Sequence, residues 1–229
     1  MIDHFGEAVA ATYDRNSAER FEPELVASTV DVLAELAGAG RALELGIGTG
    51  RIALPLAARG VPVHGIELST AMLARLRAKP GGAEIGVTVG DFASTRVAGE
   101  FALAYLVFNT IMNLTTQDAQ VACFRAVADQ LTPGGCFAVE VIVPELRKLP
   151  AGQTVLPFGL GPDRWARSDY NPATQAAPAT TWTSRRARTG ASRSISPCRR
   201  RIRYAEQAIS VSSVHSQGRR QRAPRGPSC

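Results

Sequence analysis

Cysteine is scarce in this chain. Its 229 residues hold four, Cys123, Cys136, Cys198 and Cys229. They form no Cys-x-x-Cys pair and no metal-ligand spacing, so neither a metal site nor a disulfide-stapled scaffold is expected. Reduced thiols in a cytoplasmic protein are the plain reading. Long apolar runs are missing as well. The longest, residues 101–108 and 136–143, fall far short of a membrane span, and Glu140 interrupts the second. The opening residues, Met-Ile-Asp-His-Phe-Gly-Glu, place an acid where a secretory leader needs basic and then apolar residues. A cytoplasmic protein without a membrane partner is expected. Histidine is limited to His4, His64 and His215, all isolated, and His64 reads as a structural imidazole within a strand rather than a base.

The C-terminal part lacks most core formers. Residues 173–229 contain no Leu, Phe, Met or Lys. They carry 12 Arg against one acid, Glu206, a net of +11, whereas residues 1–172 carry 14 Lys+Arg against 19 Asp+Glu, a net of −5. The whole-chain charge of +6 therefore describes neither part. So few large apolar side chains cannot offset the entropy of ordering, and residues 176–229 are expected to form a disordered Arg/Ser-rich tail. Only residues 208–214 look β-like there. A shifted reading frame in a GC-rich gene, beginning between Gln175 and Thr181, would yield such an ending. A competing reading is a basic arm for nucleic acid, with Arg199, Arg200, Arg201 and Arg203 neutralising phosphates. The acidic body favours a small-molecule substrate instead. Oligomeric state is not encoded in any pattern we find.

Residues 1–175 alternate strand and helix. Pro23 can open a helix, and Leu25, Val26, Val30, Leu33 and Leu36 then recur at helical spacing until Gly38 and Gly40. Strands are expected at 42–45, 61–66, 85–89, 101–108 and 136–143. Helices are expected from Gly50 to Arg59, over 70–79 behind a Ser69 cap, and over 117–131 behind a Thr115/Asp118 capping box. Residues 132–135, Thr-Pro-Gly-Gly, read as a turn. Strands separated by helices of this length imply an α/β fold with a doubly wound, mainly parallel sheet.

Chemistry concentrates at the first crossover, Glu44-Leu45-Gly46-Ile47-Gly48-Thr49-Gly50-Arg51. Glycines there admit close approach of a ligand, and a helix N-terminus behind them favours an anion. Glu67 follows at the end of the second strand, where a carboxylate can accept two hydrogen bonds from a ribose diol. Asp91 and Phe92 end the third, an acid and an aromatic suited to a purine. Residues 48–53 also fit the loose dinucleotide pattern G-x-G-x-x-A, which leaves a nicotinamide oxidoreductase as a further alternative. No Tyr-x-x-x-Lys set accompanies it.

The glycine loop, Glu67 and Asp91, in order at successive strand ends, resemble the S-adenosylmethionine site of the class I methyltransferases. The resemblance spans roughly residues 8–175. It implies a Rossmann-like methyltransferase fold with S-adenosylmethionine as cofactor. By that resemblance Gly46, Gly48 and Gly50 cradle the methionine part, Glu44 orients the loop, Glu67 holds the ribose, and Asp91 contacts the adenine beside Phe92. Leu68 and Met72 line the adenosine pocket, and Tyr13, next to Asp14, belongs to a lid. Asn109 and Asn113, after the fourth strand, are the substrate-side candidates. No residue is assigned as a catalytic base. The family sheet closes with strands six and seven, which are expected to be missing here. That would leave the fifth strand's edge open and activity impaired while cofactor binding persists.

Overall fold

The computed structural model describes residues 3, 5–142, 152–161, 164–171, 179–185, 194–198 and 207–212. The N-terminal elements are α1 (Glu7–Ala10), α2 (Tyr13–Asn16), a 3-10 turn (Ala18–Phe21) and α3 (Pro23–Ala37). Then come β1 (Ala42–Leu45), α4 (Ala53–Ala58), β2 (Val63–Glu67), α5 (Thr70–Arg77), β3 (Gly86–Val89) and β4 (Phe101–Leu106). A second 3-10 turn (Thr110–Asn113), α6 (Gln117–Ala128) and β5 (Leu131–Ile142) follow.

Neighbouring strands β3-β2-β1-β4-β5 are parallel, so helices must cross over between them and cover the faces. β1 is buried at every position, as expected of a central strand. The apolar stripe of α3 supplies Val30, Leu33 and Ala37 to a core with Ile52, Leu56, Leu103 and Tyr105. A second cluster unites Ile47 and Ala53 with Leu73 and Leu76 of α5 and with Ile85. Both clusters press on the glycine crossover, which fixes the loop from behind.

Three boundaries differ from the expectation. The helix after the glycines starts at Ala53, not Gly50, because Gly46, Gly48 and Gly50 all hold positive φ and keep the chain in turns. The cap of α6 is Thr116, whose hydroxyl accepts from the Ala119 N–H at 3.2 Å, rather than Thr115. β5 begins at Leu131. The Thr-Pro-Gly-Gly stretch is absorbed as a register shift in which Phe101 pairs with Leu131 and Leu103 with Cys136.

Ser69 caps α5 as expected, and its hydroxyl has two duties. It accepts from the Met72 N–H at 3.3 Å and donates to the Phe5 carbonyl at 2.8 Å, in a fully buried position. Ser69→Ala removes both bonds and should cost about 1–2 kcal/mol in urea denaturation. An unchanged midpoint would show that neither bond stabilises the fold.

Residues 140–209 form a separate compact unit. In it β6 (Val155–Gly161), β7 (Arg164–Asp169), β8 (Ala179–Arg185) and β9 (Ser194–Cys198) make an antiparallel sheet in chain order. β8 and β9 lie in a stretch with no strand-like pattern by our reading. The Thr and Trp residues of β8 are good strand formers even without apolar alternation. β10 (Gln207–Ser212) overlaps the β-like stretch at 208–214 and takes the place beside β5, so that edge carries a partner strand. The other residues of the Arg/Ser-rich tail lie outside the described residues.

Candidate functional site

The parallel sheet presents the C-terminal ends of its strands on one side, and a cleft open to solvent lies there. Gly46 and Gly48 form part of its wall, with Glu67 and Leu68 from the end of β2 and Met72 from α5. Phe92 follows β3, Asn113 follows β4, and Tyr13 comes from α2. Eight of the residues singled out from sequence therefore converge. Gly46 (φ +72°) and Gly48 (φ +55°) need glycine for their backbone alone. A Cβ on Gly46 would also sit 2.7 Å from Thr110 Cγ2.

Glu67 is the best-held polar group. Its Oε2 accepts from the Gly48 N–H at 2.8 Å and its Oε1 from the Ser69 N–H at 2.9 Å. The side chain thereby ties the glycine loop to the start of α5. Burial pushes its pKa up, against the pull of the Ser69, Gly48 and Leu68 N–H groups, and the Asp3 charge pushes it up further. Each carboxylate oxygen has two lone pairs, so both retain capacity for a ligand's hydroxyls.

Glu44 does not line the cleft. It is buried in β1, level with Tyr105 of β4 in the parallel register, and accepts from the Tyr105 hydroxyl at 2.9 Å. The Ala53 N–H at the start of α4 also donates to it. This carboxyl thus fixes the far end of the glycine loop. Desolvation raises its pKa to about 8, despite Tyr105 and the nearby Arg51 charge.

The N-terminal segment is fastened over the cleft. Asp14 Oδ1 accepts from the Thr49 hydroxyl at 2.6 Å, and its Oδ2 pairs with Lys79 Nζ at 2.6 Å. Lys79 also donates to the Thr49 carbonyl at 2.8 Å. Glu7 pairs with Arg75 of α5. Phe5 meets Tyr13 edge-to-face, with ring centroids 6.0 Å apart. Asp3, Phe5 and Thr110 complete the lining, and none of them was singled out from sequence. Nothing local marks them, because long-range contacts bring Asp3 and Phe5 to the site.

Gly50, Asp91 and Asn109 are not among the residues that line the cleft. Gly50 (φ +80°) packs where a Cβ would lie 2.3 Å from Leu76 Cδ1, a packing role for the third glycine. Asp91 Oδ1 accepts from the Ala93 N–H at 2.8 Å, shaping the turn that presents Phe92. Phe108 and Asn109 are both left-handed, at φ +58° and +61°. A bulky residue there is strained, and the turn swings Thr110 and Asn113 into the cleft. The guanidiniums of Arg20 and Arg51 lie 5.1 and 5.4 Å from the centre of the Phe108 ring and hold it.

His64 pairs with the Thr88 hydroxyl at 2.9 Å and serves the sheet, as expected of a structural imidazole. Among the described residues no group of His, Cys, Asp and Glu side chains could hold a metal, and no helix is long and apolar enough to cross a membrane.

Comparison with known proteins agrees with this geometry. A family described as a methyltransferase domain matches residues 42–135. The solved CcbJ methyltransferase from Streptomyces caelestis is 32% identical, over 78% of this chain and 74% of that one, with a TM-score of 0.66. CalS10, an S-adenosylmethionine-bound amino pentose methyltransferase from Micromonospora echinaspora, shares the fold at 21% identity and a TM-score of 0.58, over 95% and 86% of the two chains. The cypemycin N-terminal methyltransferase of a Streptomyces species is 28% identical over 123 residues, 53% of this chain. The chain spans about half the length of that curated relative.

Proposed function

The chain belongs to the class I S-adenosylmethionine-dependent methyltransferases, and on that premise we propose that it carries a methyl group to a small-molecule acceptor from a cofactor seated in the Gly46–Glu67–Phe92 cleft. The observation that carries this is Glu67. Its two oxygens are aimed by the Gly48 and Ser69 N–H groups and keep acceptor capacity at the cleft wall, as a ribose diol requires. The residues present fit the cofactor. Gly46 and Gly48 line the cleft with backbone alone, so its methionine part can approach the chain closely, and Leu68, Met72 and Phe92 offer an apolar seat for a purine. All of these lie within residues 1–175, the proposed catalytic domain.

The cofactor supplies an electrophilic methyl group on a sulfonium. The chain's part is alignment and exclusion of water. Glu67 and the glycine loop orient the nucleoside and methionine portions. Tyr13 and Phe5 cover the cleft from the N-terminal side, and Thr110 and Asn113 face the acceptor. The loop after β4, Phe108-Asn109-Thr110-Ile111-Met112-Asn113, holds neither the Pro-Pro-Tyr of adenine-amine enzymes nor the Pro-Cys nucleophile of cytosine enzymes. Together with the acidic body, this supports a small-molecule acceptor. The name of the curated relative adds a peptide's N-terminal amine to the acceptors worth assaying.

Calorimetry with the full chain tests the premise of the site. S-adenosylmethionine and S-adenosylhomocysteine should each bind at one site, and NAD should not. Binding of NAD alone would overturn the proposal. Labelled-methyl transfer to a panel of small amines, hydroxyl compounds and short peptides then tests the acceptor class. Transfer to RNA or DNA and to nothing small would overturn that part.

A further inference from the structure

A second carboxylate lines the same cleft. Asp3 and Glu67 come from opposite parts of the sequence, and a continuous run of hydrogen bonds joins them. The Phe5 N–H donates to Asp3 Oδ1 at 2.7 Å. The Ser69 hydroxyl donates to the Phe5 carbonyl at 2.8 Å. The Ser69 N–H donates to Glu67 Oε1 at 2.9 Å. The position of Asp3 is thereby set relative to Glu67 by backbone groups on both sides. Its charge reaches Glu67 and disfavours ionisation there.

Two like charges held in one cleft favour a cation between or beside them. Cofactor and product differ in just this respect. S-adenosylmethionine carries a sulfonium, an ammonium and a carboxylate, a net of one positive charge. S-adenosylhomocysteine has a neutral thioether and no net charge. Adenine, ribose and amino acid are common to both, so contacts to those parts bind the two alike. A carboxylate at a fixed place in the cleft does not.

We propose that Asp3 reads the charge of the cofactor, so that the cleft holds cationic S-adenosylmethionine in preference to its neutral product. The inference rests on the cleft being the cofactor site. Glu67, with both oxygens engaged by the loop and α5, serves position as well as charge. Asp3 is exposed and belongs to no regular element, so its charge can be removed without disturbing the core. It acts as a specificity residue. It helps the spent cofactor leave and takes no part in moving the methyl group.

The test is calorimetry of both ligands with the native chain, Asp3→Asn and Asp3→Glu. Asparagine keeps an oxygen for the Phe5 N–H and loses only the charge. Asp3→Asn should weaken S-adenosylmethionine roughly three- to tenfold, as expected for one charge at a solvent-exposed site, and leave S-adenosylhomocysteine within about twofold. Asp3→Glu should keep the preference. Raising salt from about 50 to about 500 mM should erode the preference in the native chain and not in Asp3→Asn. An equal loss for both ligands would make Asp3 an uncharged fastening of the N-terminal segment and overturn the inference. So would an unchanged ratio. If the native chain binds neither ligand, the reading of the cleft falls as well; if it binds both and Asp3→Asn changes nothing, only this inference falls.

Discussion

Glu67→Gln should weaken S-adenosylmethionine about 100-fold and lower folding stability by about 1–3 kcal/mol. The two substituents of a glutamine amide are not equivalent. One is an acceptor and the other a donor, whereas both Glu67 oxygens receive backbone N–H groups, from Gly48 and from Ser69. Whichever way the amide turns, one backbone N–H meets an NH₂ and loses its partner. If the loop N–H of Gly48 is the one deprived, the cradle loosens. If it is Ser69, the start of α5 does. The acceptor oxygens offered to the ribose fall from two to one in either case, and a missing charge-assisted bond costs most where it is buried. The native chain should also lose affinity on acidification earlier than an ordinary carboxylate would allow, since burial holds the Glu67 pKa above its usual 4.5. Calorimetry across pH and urea denaturation give both quantities. A change in affinity below about threefold would show that the ribose is held elsewhere.

How much of this site could be read before the fold was known depended on how local its causes are. The glycine crossover, the Ser69 cap and the Pro23 start follow from single residues and their immediate neighbours, and all three stand where expected. Gly46, Gly48, Glu67, Leu68, Met72 and Phe92 meet because strand ends in a parallel sheet must share one side. Other features depend on register and on the path of the chain. Tyr105 is an ordinary apolar-strand residue until the β1–β4 register sets it opposite Glu44. Phe108 carries no sign of its left-handed backbone, since most bulky residues avoid it. Asp3 and Phe5 reach the cleft through long-range contacts, among them the bond from Ser69, far along the sequence, to the Phe5 carbonyl. The glycine loop differs from expectation only in where its helix begins. Three positive-φ glycines delay the helix to Ala53, and that delay places the Ala53 N–H on Glu44.

The Glu44–Tyr105 pair makes stability depend on pH in a direction unusual for a carboxylate. The folded chain keeps the Glu44 proton up to about pH 8, while the unfolded chain releases it near the ordinary value of 4.5. Between those values the native state binds more protons than the unfolded state, so stability falls as pH rises. It is fully present below about pH 4.5 and lost by about pH 8, a decline on the order of 3–5 kcal/mol. Glu67, also raised by burial, adds a loss of the same sign, whereas His64, lowered by burial and by Arg41, acts in the opposite sense near its usual 6.5. Urea denaturation at several pH values should therefore compare the native chain with Glu44→Gln. The amide oxygen still accepts from the Tyr105 hydroxyl, and no buried charge can form. The variant should lose the Glu44 share of the decline and exceed the native chain in stability at pH 8.5. Tyr105→Phe should do the reverse. It removes a donor that favours the charged form, raises the Glu44 pKa further and steepens the fall above neutral pH. Parallel curves for the native chain and Glu44→Gln would mean that Glu44 titrates alike in both states, and the buried carboxyl would then be ionised at neutral pH as it braces the loop.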